Sequence, residues 1–211
     1  MASHPNLTIL DHPLIRDKMA RLRDEETSPE DFRRLIAQVA GLMTFQASRD
    51  LPVVETTVRT PLEETEEVRL SAPVTLVPIL RAGLGMVEGI IALMPEANVG
   101  HVGLYRDEST LKPVTYYCKL PPFVADGPVF LVDPMLATGG SAIAATEVLR
   151  QHGCEDIRLI CLVAAPEGVL AMGEACPDVR IFVAALDRQL NESGYILPGL
   201  GDAGDRIFGT R

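Results

Sequence analysis

Asp133 follows four apolar residues, Val129 to Val132, and leads through Pro134, Met135, Leu136 and Ala137 into Thr138-Gly139-Gly140-Ser141. The apolar run reads as a strand buried on both faces, and the Ala-rich stretch after Ser141 reads as a helix. Between them the chain gives up side-chain bulk. A helix start offers unpaired backbone N–H groups and the positive end of the helix dipole, and both suit a phosphate. Gly139 and Gly140 let the backbone close around such an anion, while Thr138 and Ser141 add hydroxyl donors. Asp133 cannot itself hold a phosphate, but it can accept hydrogen bonds from sugar hydroxyls. The stretch therefore reads as a ribose-phosphate cradle. The plainer alternative is a strand-turn-helix connection with Asp133 as a local cap.

Two arginines occupy comparable positions. Arg81 lies in "VPILRAGLGM" (Val77 to Met86), a second strand-turn-helix junction, where it could grip another phosphate while Gly83 and Gly85 permit unusual backbone angles. Gly83-x-Gly85 also begins a dinucleotide fingerprint, but Glu88 stands where the third glycine belongs, and a P-loop lysine is absent. Arg106 follows a strand expected to end at Tyr105. A surface pair with Asp107 or Glu108 is its simpler reading, and only the strand-end position raises it above that.

Such junctions need a scaffold. Asp11 is expected to cap a first helix with Pro13 in its first turn, and Ser28 a second with Pro29 at its first position. Phe32, Leu35, Ile36, Val39, Leu42 and Met43 then form an apolar stripe for core or subunit interface. Beyond Pro52, strands are expected at 53–58, 74–80, 99–105, 129–132, 157–165 and 179–186. Helices follow at 85–94, from 141 to about 152, and up to about 176. Strands so apolar, alternating with helices, predict an α/β fold with a mainly parallel sheet flanked by helices, whose ligands bind beyond the carboxyl ends of the strands. "EETEEVRL" reads as solvated surface. Residues 106–126 form a long insertion with a strand at 114–118, and a loop of that length inside a domain is usually functional. The final stretch from Gly194 keeps Tyr195, Ile196, Leu197, Leu200, Ile207 and Phe208 among its glycines, so it reads as an ordered loop packed on the domain.

The 211 residues suffice for one domain, and a net charge of −10 argues against a general nucleic-acid binder. No apolar run approaches the roughly 18 residues of a membrane span. The N-terminus lacks the pattern of a secretory signal, so a cytoplasmic protein is expected. Cys118, Cys154, Cys161 and Cys176 have neither metal-site nor disulfide-framework spacing, and Cys161 reads as a small core residue.

"VDPMLATGG" resembles the phosphoribosyl-diphosphate signature of the type I phosphoribosyltransferases. Together with "PILRAGLGM" and the ending "GYILPGLGDAGD", nearly the whole chain resembles the uracil branch of that superfamily, and the tail is what narrows it to uracil. Many type I members carry two adjacent acidic residues at this strand end, whereas here Pro134 follows Asp133. The resemblance implies a single domain over 1–211, with N-terminal helices (1–50), a lid-like insertion (106–126) and a base-binding tail or hood (194–211). It implies that Asp133, Pro134, Met135, Leu136, Ala137, Thr138, Gly139, Gly140 and Ser141 hold the ribose and 5-phosphate of 5-phosphoribosyl 1-diphosphate (PRPP). Arg81 and Arg106 would contact the diphosphate. Ile196, Gly201, Asp202 and Ala203 would form the uracil pocket, with Asp202 also touching the donor. The implied reaction converts uracil and PRPP to UMP and diphosphate. Mg²⁺ would be carried by PRPP with no direct protein ligand, and no nucleic acid or membrane would be involved. A homodimer or homotetramer is implied, and GTP as an activator. Two competing readings remain: a regulator that kept this fold to bind RNA or nucleotide, and a phosphoribosyltransferase for another base.

Overall fold

The computed structural model describes residues 5–106 and 113–210. A short strand β1 (Leu7–Ile9) leads into helices α1 (Pro13–Arg23) and α2 (Pro29–Ala47), and strands β2 (Val53–Arg59) and β3 (Glu64–Leu70) follow. Next come β4 (Thr75–Leu80), α3 (Leu84–Ile91), β5 (Asn98–Val99), β6 (His101–Arg106) and β7 (Pro113–Lys119), then one 3₁₀ turn at Val124–Asp126. The chain continues through β8 (Val129–Val132), β9 (Met135–Leu136), α4 (Gly140–Gln151), β10 (Ile157–Ala164) and α5 (Pro166–Ala175). It ends with β11 (Arg180–Leu186), β12 (Gln189–Leu190), β13 (Ile196–Leu197) and α6 (Ala203–Phe208).

The main sheet runs β1-β11-β10-β8-β4-β6-β7, with β5 beside β4 and β9 beside β10. Every pairing in it is parallel except β6 with β7. All residues of β8 and β10 are buried, as strands covered on both faces must be. Alternate side chains feed two cores. Leu76, Phe130, Val132 and Ile160 pack with α1, α2, α3 and α6, while Val77, Leu131, Leu159 and Cys161 pack with α4 and α5. Gly89 brings α2 and α3 into backbone contact, since a Cβ there would fall 1.7 Å from the Ala37 carbonyl oxygen.

One expectation needs correction, and two hold but gain secondary structure the sequence did not show. α1 is capped by His12, whose Nδ1 accepts from Leu14 N–H at 3.2 Å, because Asp11 stands one residue too early to reach that amide. The acidic stretch is exposed, yet it forms β3, paired antiparallel with β2 in a separate hairpin. The tail contains β13 and the six-residue α6, too short for helical periodicity to show in sequence. Ser28 caps α2 as expected, accepting from Asp31 N–H at 3.2 Å. Cys161 is fully buried in β10. Residues 107–112 of the expected lid lie outside the described residues.

Candidate functional site

From β4 the chain moves to β6 on one side of the sheet, and β8 then returns to β4's other side. The strand order reverses there, and crevices open at such reversals beyond the strands' carboxyl ends. Arg81 follows β4 and Asp133 follows β8. Gly83 sets how closely the two junctions approach. A Cβ at that position would lie 2.5 Å from the Val132 carbonyl oxygen and 2.8 Å from Ile79 backbone atoms, so no other residue fits without moving the turn. The Leu80–Arg81 peptide is cis.

The loop after β8 is fixed largely by its own backbone. Asp133 N–H donates to Ile160 O at 3.2 Å, and the Pro134 carbonyl accepts from Leu162 and Val163 at 3.1 Å each. The Leu136 carbonyl accepts from Ala165 at 2.9 Å, and its side chain is buried. Pro134 and Leu136 thus strap the loop to β10. Underneath, Gly168 of α5 lies so close to Ala137 that a Cβ would meet the Ala137 oxygen at 2.4 Å. Gly139 enters α4 with φ of 84°, and no side chain caps the helix. The first-turn N–H groups of α4 therefore have no side-chain cap, as an anion site requires. Gly140 is open, with only Thr138 Oγ1 near a hypothetical Cβ, at 3.8 Å, and Thr138 and Ser141 are exposed.

Asp133 stands at the inner end of this loop. Burial pushes its carboxyl up from the ordinary 3.8 to about 7, opposed by the Met135 N–H that donates to Oδ1 at 3.3 Å. That bond is the local cap of the plainer reading, so the carboxylate turns the chain as well as facing the cleft. Burial, and then the Asp133 charge beside it, raise the Cys161 thiol well above its usual value.

The tail supplies the opposite wall. β12 and β13 form a small hairpin, the Leu197–Pro198 peptide is cis, and Gly199 and Gly201 take φ of 64° and 70°. Asp202 then caps α6, its Oδ1 accepting from Asp205 N–H at 2.9 Å. Between the walls lies a cleft of about 230 Å³. Asp133, Met135 and Ala137 line one side, Ile196, Gly201, Asp202 and Ala203 the other, and Ala82 the end beside Arg81. All four residues expected to form the base pocket thus face the signature loop across one space. Arg81 is exposed just outside, its guanidinium 5.8 Å from the centre of the Phe208 ring. Arg106 ends β6, and its side chain lies outside the described part of the structure.

Sequence reasoning missed the residues that hold the tail. Arg23 donates to both Asp187 oxygens, at 2.6 and 2.9 Å, and to the Gly199 carbonyl at 2.9 Å. Asp187 in turn accepts from Gly199 N–H at 2.9 Å. Arg206 donates to the carbonyls of Leu22, Leu200 and Asp24, and Arg33 to that of Ile207. One signal was available: Asp187 ends the apolar run "FVAAL" much as Asp133 ends "VFLV".

The described residues contain no helix long and apolar enough to cross a membrane, and no group of three or more His, Cys, Asp or Glu arranged to hold a metal ion. The Uracil phosphoribosyltransferase family model matches residues 9–210. The chain is 53% identical over 206 residues to the uracil phosphoribosyltransferase of Symbiobacterium thermophilum, covering 97% of this chain and 99% of that one. It is 55% identical over 204 residues to that of Halalkalibacterium halodurans, covering 96% and 98%. Among solved structures, the AQ2163 protein from Aquifex aeolicus superposes with a TM-score of 0.91 at 37% identity, over 96% of this chain and 97% of that one. A hypoxanthine-guanine phosphoribosyltransferase from Bacillus anthracis superposes with a TM-score of 0.51 at 10% identity, over 75% and 80%, and so shares the fold alone. The fold is that of the type I phosphoribosyltransferases, and the chain belongs to the uracil phosphoribosyltransferase family.

Proposed function

We infer that this protein transfers the phosphoribosyl group of PRPP to N1 of uracil, releasing diphosphate and forming UMP for pyrimidine salvage. The observation that carries this reading is the single cleft in which Asp133, Met135 and Ala137 face Ile196, Gly201, Asp202 and Ala203. In this reading the start of α4, with Thr138 to Ser141, receives the 5-phosphate, and Asp133 accepts from the ribose hydroxyls. Arg81 and Arg106 take the diphosphate. Backbone N–H and C=O groups of the tail match the polar edge of uracil. An unmatched buried polar group costs about 1–3 kcal/mol, enough to reject cytosine.

The N1–C1 bond forms as the C1–O bond to diphosphate breaks, with its electron pair leaving on the diphosphate oxygen and the N1 proton lost. Positive charge grows on the ribose and negative charge on the leaving group, and fixed charges aimed at those positions are usually the largest catalytic contribution. Arg81 and Arg106 are placed for the leaving group by this reading, and the insertion 106–126 would exclude water as a lid. Mg²⁺ is a hard cation that prefers oxygen and retains its waters. Asp133 and Asp202, the two carboxylates lining the cleft, fit a water-mediated contact to an ion carried by the donor. When bound, that ion neutralises diphosphate charge.

The same proposal places the protein in the cytoplasm as one catalytic domain with a base-binding tail. A homodimer or homotetramer is supported by an apolar groove on α1, α2 and α3, where Leu14, Phe45 and Leu93 are exposed. GTP as an activator rests on the family resemblance alone. The test is UMP formation by purified protein with Mg²⁺, PRPP and uracil, with orotate and hypoxanthine in parallel. Turnover with uracil alone is expected. If no base reacts while PRPP still binds, the regulator reading takes over, and an electrophoretic shift with pyrimidine-gene leader RNA would then support it.

A further inference from the structure

The tail segment Gly201–Asp202 has space on both sides. Its inner face lines the cleft, and its outer face borders a second hollow of about 500 Å³. Leu200 and Ala203 on either side are buried, so Gly201–Asp202 is a short bridge between anchored ends, and its height depends on the bonds that fix those ends. Those bonds converge from the end of α1. The Arg206 guanidinium donates to Leu22 O at 2.6 Å and Asp24 O at 2.5 Å, and to Leu200 O at 2.9 Å, immediately before Gly201. It also stacks over the Phe32 ring, 4.1 Å from the centroid. Leu22 and Asp24 lie at the carboxyl end of α1, where backbone carbonyls lack helical partners and attract a cation. Arg23, from the same turn, grips Gly199 O and the buried Asp187, which takes Gly199 N–H.

Resting on the uracil reading above, we propose that Arg206, together with the Arg23–Asp187 pair, is a positioning clamp that sets the base-reading wall against the end of α1. None of the three lines the cleft itself. Their effect is to fix the carbonyls of Gly199 and Leu200 so that the following amides meet the base at one height. The clamp therefore acts on base affinity and base choice, not on the donor loop, which is strapped separately to β10.

The test compares wild type with Arg206→Met, which keeps the stem packed on Phe32 but removes the donors, and with Arg206→Lys, which restores one. Steady-state kinetics are read in uracil and PRPP separately, and amide hydrogen exchange is read in the unliganded protein. Arg206→Met should raise KM for uracil about tenfold or more, as loss of charged hydrogen bonds predicts, with KM for PRPP within about twofold. Arg206→Lys should recover part of the loss. Faster exchange should be confined to residues 196–209. Equal rises in both KM values, or faster exchange spread through α2 and the sheet, would overturn the proposal. If Arg206→Met does not fold, Asp187→Asn is read by the same split. Should wild type fail to turn over uracil, the functional reading falls, while the exchange pattern still decides the clamp.

Discussion

The two walls of the cleft are held by different means. The donor wall is built from neighbours in the sheet. Asp133 Oδ1 is held by Met135 two residues on, and the Pro134 and Leu136 carbonyls by β10 and the residue after it. The base wall is held by side chains whose partners lie far away in sequence, 164 positions between Arg23 and Asp187 and 184 between Arg206 and Leu22. A wall made of strand ends is rigid wherever the sheet is. A wall hung on three arginines can be altered without disturbing the other. Substitutions in the supports should therefore sort into those that affect the donor and those that affect the base, while Asp202, which both substrates approach in the proposed reading, should affect both.

Asp202→Ala should give the largest effect. By the proposed reading it removes a side chain that both substrates approach, and UMP formation should fall by about a hundredfold or more, the scale of losing a preorganised polar group. The fold should survive, because the lost cap on α6 costs only about 1 kcal/mol. Normal turnover in a folded variant would take the tail out of the site.

Gly83→Ala tests the donor wall from behind. Its Cβ would meet backbone atoms at 2.5 Å, and backbone cannot swing aside as a side chain can. A loss of about 1–3 kcal/mol is expected, visible as a fall of roughly 3–10 °C in melting temperature. Gly140→Ala is the control, since its nearest neighbour would be 3.8 Å away. That variant should melt like wild type yet bind PRPP more weakly, because the methyl group enters the proposed phosphate seat. If both melt alike, the close approach of β4 and β8 is not what Gly83 serves.

The same contrast explains what was legible in sequence. β8, the glycine turn and α4 were readable because a buried strand, a left-handed glycine and an Ala-rich helix leave their marks over about a dozen adjacent residues. The base wall was readable from residue pattern only as apolar residues in a glycine-rich tail, and its four cleft residues came from the family resemblance. Of its supports only Asp187, at the end of an apolar run, leaves a local mark; nothing local to Arg23 or Arg206 says that a guanidinium at one end of the chain ends up on a carbonyl at the other. The short α6 was hidden for a related reason: six residues give too few turns to show a period. His12 replaced Asp11 as a cap because a shift of one residue decides which amide is reached, finer than patterning resolves.

Asp133 gives the donor wall a pH dependence. Its folded-state value of about 7 exceeds the ordinary 3.8, so the neutral form is favoured in the free protein. The stability that goes with this is fully present below about pH 4 and is lost as pH rises through 7. Ribose hydroxyls donating to the carboxylate favour the ionised form, so binding should release a proton. PRPP affinity should then rise about tenfold between pH 6 and 8 and level off above. Asp133→Asn should lose that dependence once the titration of the ligand's own phosphate is subtracted by calorimetry. A wild-type affinity flat over this range would show that the carboxylate is not the ribose acceptor.

The smallest expected effect lies where the two walls meet. Arg81 belongs to the donor side and Phe208 to α6, and the guanidinium stands 5.8 Å from the ring centre. At this separation, with Arg81 exposed and Phe208 40% exposed, the attraction is worth about 0.5–1 kcal/mol. Phe208→Leu keeps an apolar cover but removes the ring face, so KM for PRPP should rise about two- to fivefold. KM for uracil should stay unchanged, although the substituted residue is in the base-binding tail, and Phe208→Tyr should behave like wild type. The sequence neighbourhood of Phe208 predicts a base defect, whereas its contact with Arg81 predicts a donor defect. A rise in KM for uracil alone would mean that α6 serves only the base wall, and that the walls are joined elsewhere.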